Sequence, residues 1–140
     1  MHYNLKRFTD AQERDYELAL SEIKNGRKRS HWIWYIFPQI KGLGYSDISK
    51  FYAINSIDEA EAYLNDSLLS SRLIEISEAL LQLPENNATN IFGTPDDLKL
   101  KSSMTLFASV LGAPFVFQSV LDKFFNGEKD GKTLQILSSQ

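Results

Sequence analysis

The segment Lys28–Gly44, KRSHWIWYIFPQIKGLG, places a basic pair and a histidine before two Trp, one Tyr and one Phe, then adds a Pro-Gln step and two glycines. Lys28 and Arg29 carry fixed positive charge, and His31 titrates near neutrality, with an ordinary pKa of about 6.5. Gln39 can donate and accept a hydrogen bond at one ligand edge. Trp32, Trp34, Tyr35 and Phe37 can stack on a base or another planar ring. Lys99, Lys101, Ser102 and Ser103, with Thr105, form a second cluster in which hydroxyls lie beside ammonium groups, a combination that holds phosphate or carboxylate. Together these residues suggest binding of a small anionic, nucleotide-like ligand, with turnover left open. Lys28, Arg29, His31 and Gln39 would form one wall and Lys99 to Ser103 the opposing one.

Each of these groups also has a plainer role. His31 can be tied to nearby backbone at a helix start, the aromatics can be core, and Gln39 can cap backbone at a loop. On a helix, Trp32 and Tyr35 share one side while Trp34 points elsewhere, so only part of the cluster can face a ligand. The Lys99–Thr105 run lacks the glycine-rich loop of a phosphate-binding P-loop, and Ser102, Thr105 and Ser109 also read as a small-residue packing face. Asp97 and Lys101 are spaced as a surface ion pair. Neither metal nor cofactor is expected: His2, at a terminus read as mobile, is the other histidine, and the two lack ligand spacing. Nothing resembles a Ser-His-Asp order, a nucleophile elbow, a dinucleotide fingerprint or a calcium loop, and no catalytic residue is assigned. A second function class is an adaptor whose aromatic-basic surface meets an acidic protein partner.

The chain's composition sets limits on these readings. Its 140 residues suit one domain, and 43% hydrophobic with 24% charged residues is ordinary for a soluble globular protein. With no cysteine there is neither disulfide nor thiolate chemistry. No stretch reads as a leader or a membrane span, and a cytoplasmic protein is expected. The net charge of -3 is unevenly spread: residues 1–44 hold 8 Lys/Arg against 5 Asp/Glu, and residues 45–140 hold 7 against 13. An anion would be steered toward the first part, while the acidic whole makes a poor general nucleic-acid binder. The sequence carries no signal for an oligomeric state.

Helices must position the clusters. Asp10, with Glu13 three residues on, reads as the cap of a first helix over about Ala11 to Lys24, stopped by Asn25-Gly26. Ser30 reads as the cap of a short helix through Ile36, with an aromatic strand as its rival. Lys41–Gly44 reads as a loop. Ser46 and Ser56 start two further helices, and Leu69, Leu73, Ile76 and Leu80 mark another. Residues 85–90 look most loop-like. Thr94-Pro95 reads as the start of a central helix lined by Leu100, Met104, Phe107 and Leu111. A last long helix carries Phe117, Val120, Leu121, Phe124 and Phe125, and Thr133 to Leu137 form a terminal turn. The expectation is one all-α domain, residues 1–140, with about seven or eight helices.

Three blocks, HWIWYIFPQIKGLG, IFGTPDDLKLKSSMTLF and LDKFFNGEKDGKTL, resemble in the same order an uncharacterised family of small, mostly bacterial proteins. It is a domain-of-unknown-function family whose members sometimes carry the label "calpastatin". The likeness spans about Phe8 to Leu137 and implies a compact, mainly helical cytosolic domain. The label implies protease inhibition, but the chain has neither repeated inhibitory segments nor a disordered composition.

Overall fold

A computed structural model describes residues 3–140. His2, read above as terminal, lies outside them. Nine helices form among the described residues: α1 (Lys6–Lys24), α2 (Ile33–Ile36), α3 (Asp47–Tyr52), α4 (Ile57–Asn65), α5 (Ser67–Leu81), α6 (Ala88–Phe92), α7 (Asp96–Ala108), α8 (Val116–Phe125) and α9 (Gly131–Ser138). The only sheet-like pairing among those residues is an isolated parallel bridge between Ile40 and Ile54. The fold is thus a single compact all-α domain, one or two helices richer than expected.

The core is built around α7, which packs against α2, α4, α6, α8 and α9, while α5 lies between α1, α4 and α8. Leu100, Met104, Leu106 and Phe107 of α7 are wholly buried, as are Phe117, Val120 and Leu121 of α8. Leu69, Leu73, Ile76 and Leu80 recur at helical spacing and close the α5 side. At about 1.5–3 kcal/mol for each fully buried side chain, these stripes hold the helices together.

Several boundaries differ from expectation for local reasons. The first helix starts at Lys6: Phe8 extends the buried stripe by a turn, and Asp10 pairs with Lys6 at 2.8 Å instead of capping. Ser30 caps nothing, because its hydroxyl donates to Glu22, and the second helix shrinks to the single turn Ile33–Ile36. Within the 85–90 stretch, Asn87 accepts from the Thr89 N–H and starts α6. Pro95, not Thr94, is the cap residue of α7, and the Thr94 hydroxyl turns toward Asp97. Because α7 ends at Ala108, Leu111 falls beyond the stripe and is 95% exposed.

Candidate functional site

The single turn of α2 divides the aromatic cluster. Trp32, Tyr35 and Phe37 are buried, with Trp32 packed on Phe37 and Phe92, while Trp34 is half-buried and faces a cavity. Pro38 ends the turn, and Gln39 to Lys41 run extended beside Ile54: the Ile54 N–H donates to the Gln39 carbonyl and the Lys41 N–H to the Ile54 carbonyl, both at 2.8 Å. The chain then turns through Gly42, whose φ of +110° suits glycine, and Gly44 passes against α3. There is no room for a side chain at Gly44, since a β-carbon would sit 2.6 Å from Oγ and 2.7 Å from Cβ of Ser49. The Ser46 hydroxyl caps α3 by accepting from the Ser49 N–H.

These segments enclose a cavity of about 390 Å³. Trp34, Ile40, Leu43, Tyr45 and Tyr52 make its wall largely apolar, and Gln39, Ser49 and Asn55 supply polar groups. Lys41 and Lys50 stand on its lining, which includes no carboxylate. Neither lysine has an ion-pair partner among the described residues. Three shallower clefts each include a glutamate, Glu61, Glu59 or Glu17, and the Glu59 cleft adjoins this cavity through Lys50, Ala53 and Asn55. Two of those clefts also carry cations, Arg7 with Lys50 and Lys24, but of the four this cavity alone sets cations beside aromatic surface with no carboxylate on its lining.

The far wall is held from behind. Arg7 donates to Glu59 at 3.0 Å and to the carbonyl of Ala53 at 2.8 Å, and Glu59 accepts the N–H of Asn55 at 2.7 Å. Both charged side chains are buried, so the pair fixes the 53–55 segment, of which Ala53 and Asn55 line the cavity.

Of the eight residues expected to bind a ligand, Gln39 alone lines this cavity. Lys28 and Lys99 instead share Asp96, at 2.7 and 3.0 Å, and each ammonium lies over a tryptophan: Lys28 5.0 Å from the centre of Trp32, Lys99 4.3 Å from Trp34. Burial tends to push the Asp96 carboxyl up, but the two lysines outweigh it and hold the group below the usual carboxylate range. The basic-aromatic pattern is real, yet much of its charge is spent internally. Lys101 pairs with Glu128 at 2.6 Å rather than with Asp97, which accepts from Thr89. Ser102 donates to the Leu98 carbonyl and Ser103 lies fully inside the core. Arg29 and His31 are exposed, away from the cavity lining.

The residues the sequence reading passed over are Lys41, Lys50, Tyr52 and Asn55. Lys41 sat in a segment recognised as a loop, and its charge beside Gly42-Leu43-Gly44 was the available signal. The others are brought in by the 40/54 bridge, which has no periodicity to reveal it.

Comparison with curated proteins finds no match. Among solved structures, the conserved hypothetical protein Rv1873 from Mycobacterium tuberculosis, determined at 1.38 Å, is 44% identical, with 97% of each chain covered and a TM-score of 0.95. A bacterial protein therefore shares this arrangement of helices over nearly its whole length. Residues 2–137 match the family described as "Protein of unknown function (DUF1810)", and the chain belongs to that family.

Proposed function

We propose that this chain binds a small anionic ligand with a flat, nucleotide-like ring in the cavity between Trp34, Gln39 and Tyr52. The observation that carries the reading is the pairing of aromatic wall with two unpaired lysines and no carboxylate, in a chain whose net charge is -3. An apolar cleft with a few convergent polar groups is the usual form of a small-molecule site. The anionic part is assigned to Lys41 and Lys50, and the ring to the wall of Trp34 and Tyr52. Lys28, Arg29, His31 and Lys99 to Ser103 then act outside the contact surface, as structural groups or as a surrounding field. A cytoplasmic setting, where phosphorylated metabolites are abundant, fits this reading.

Docking of a protein partner is the second reading, favoured by the exposed Tyr45, Ile48 and Phe51 around α3. The test is a thermal-shift screen against nucleotides, sugar phosphates and metabolite anions, since a ligand that binds only the folded chain must raise its melting temperature. The ligand reading expects a hit whose shift falls in Lys41→Gln and Lys50→Gln. A screen with no hit, or a hit indifferent to both substitutions, removes it.

A further inference from the structure

We infer that Gln39 selects the ligand by the edge of its ring: the bound compound is a heterocyclic monophosphate that presents a hydrogen-bond acceptor and donor side by side, as a nucleobase does. This rests on the anionic-ligand reading above and narrows it.

The chain satisfies a buried carboxamide when that carboxamide is structural. Gln12, 2% exposed, donates to the Tyr35 carbonyl at 2.8 Å and bonds the Tyr63 hydroxyl at 3.0 Å. Gln39 is almost as deeply buried, at 7% exposed, yet its Nε2 has no hydrogen-bond partner among the described residues. Native proteins seldom leave such a group unpaired, because the lost hydration is not recovered on folding. A leucine or methionine would fill the same space without that cost. Ser103 Oγ is the other buried atom in this condition, but it lies in the core on α7, whereas Gln39 lines the cavity.

The Gln39 backbone is also fixed. Its carbonyl accepts from Ile54, and the Lys41 N–H two residues on returns a bond to the same residue. The main chain is thus pinned, and the carboxamide, whose nitrogen is closed to solvent as it stands, must turn into the cavity that Gln39 lines to meet a ligand with both of its groups. A carboxamide offers one donor and one acceptor about as far apart as the two groups on the edge of a cyclic amide or of adenine, and the two pair in bidentate fashion. Exchanging the amide's oxygen and nitrogen leaves the requirement unchanged, since the edge it needs is complementary either way. Trp34 and Tyr52 provide flat surface beside it, and Lys41 and Lys50 provide charge for a phosphate.

The full chain and its Gln39→Leu and Gln39→Met variants are titrated with the four common nucleoside monophosphates and with phenyl phosphate, which keeps the ring and the charge but lacks the hydrogen-bonding edge. At least one nucleotide should bind the parent roughly tenfold or more tighter than phenyl phosphate. In both variants that preference should vanish while phenyl phosphate affinity stays within about twofold, and the melting temperature of the free variant should equal or exceed the parent's. The inference is overturned, and the anionic-ligand reading kept, if phenyl phosphate matches the best nucleotide in the parent or if the variants retain the preference. It is also overturned if both variants melt lower and lose phenyl phosphate as well, because Gln39 would then be a support of the fold. If no probe binds the parent, the anionic-ligand reading falls and this inference with it.

Discussion

The indole N–H of Trp32 donates to Oε1 of Glu22 at 2.8 Å, which joins the most buried tryptophan to the last turns of α1. The same carboxylate accepts the N–H groups of Arg29 and Ser30 at 2.8 and 3.0 Å and the Ser30 hydroxyl at 2.6 Å. Four donors thus converge on one acid, and the connection between α1 and α2 takes its shape from them. Glu22→Gln should destabilise the chain by about 2–4 kcal/mol, because the oxygen that accepts three of those donors loses its charge and the amide N–H groups take the place of the oxygen that accepts the Ser30 hydroxyl. Urea unfolding at neutral pH measures this directly, and a loss under 1 kcal/mol, roughly one ordinary hydrogen bond, would show that the connection holds itself.

A pH dependence follows from the same geometry. Burial would push the Glu22 carboxyl up, but the Ser30 hydroxyl, the Arg29 N–H, the Trp32 indole and the Ser30 N–H together hold it below its usual range. Asp96, between Lys28 and Lys99, is also held low. A carboxyl depressed in the folded state stabilises fully above its unfolded pKa, near 4, and loses that contribution as pH falls through its folded value. Melting temperature should therefore be insensitive to these groups from about pH 6 upward and drop below about pH 4. Glu22→Gln should show a shallower acid slope than the parent; parallel slopes would mean that other carboxyls govern acid unfolding.

The buried pair of Arg7 and Glu59 predicts a coupling between fold and cavity. Arg7→Ala leaves Glu59, 1% exposed, without its counter-ion and should cost about 3–5 kcal/mol. The paired change Arg7→Met with Glu59→Leu should cost much less than the two single changes added together. Since Glu59 also holds the Asn55 N–H, Arg7→Ala should weaken binding of any cavity ligand although Arg7 lies off its lining. Additive stabilities, or unaltered affinity in the single variant, would count against this role.

The helices were legible where the apolar stripe and the caps agree. Ser46 and Ser56 cap as their spacing predicts, and Leu69 to Leu80 and Phe117 to Phe124 bury the faces their periods mark. Leu111 shows the limit of periodicity, since it continues the α7 stripe in sequence but follows the end of the helix and meets solvent. The site was legible in part. The helical spacing set Trp34 apart from Trp32 and Tyr35 without indicating which side meets the core; Trp32 and Tyr35 are buried and Trp34 stands on the cavity wall. Lys28 and Lys99 could not be sorted from ligand-facing cations, because their partner Asp96 is also a good first-turn residue of a helix. Lys50 and Tyr52 reach the cavity through a pairing of residues 40 and 54, a long-range contact between segments with no regular pattern.

The closest approach in the cavity wall yields the last prediction. Gly44 and Ser49 leave no space for a β-carbon at position 44, and Ser49 is the one buried residue of α3. Gly44→Ala must therefore push α3 outward or displace the 42–45 loop, at about 1–3 kcal/mol for a packed site that cannot absorb an added methyl. Either movement carries Lys50 or Lys41 away from the aromatic wall, so ligand affinity should fall further than the stability change alone implies. Both atoms that collide belong to the Ser49 side chain, so Ser49→Gly in the same molecule removes the clash. The double variant should recover binding even though a glycine within the short helix costs about 1 kcal/mol in itself. In a double-mutant cycle the two changes should thus couple favourably, with binding rescued more completely than stability. If Gly44→Ala melts like the parent and binds a hit from the ligand screen normally, the contact between this glycine and α3 does not shape the cavity, and the loop owes its position to the 40/54 pairing instead.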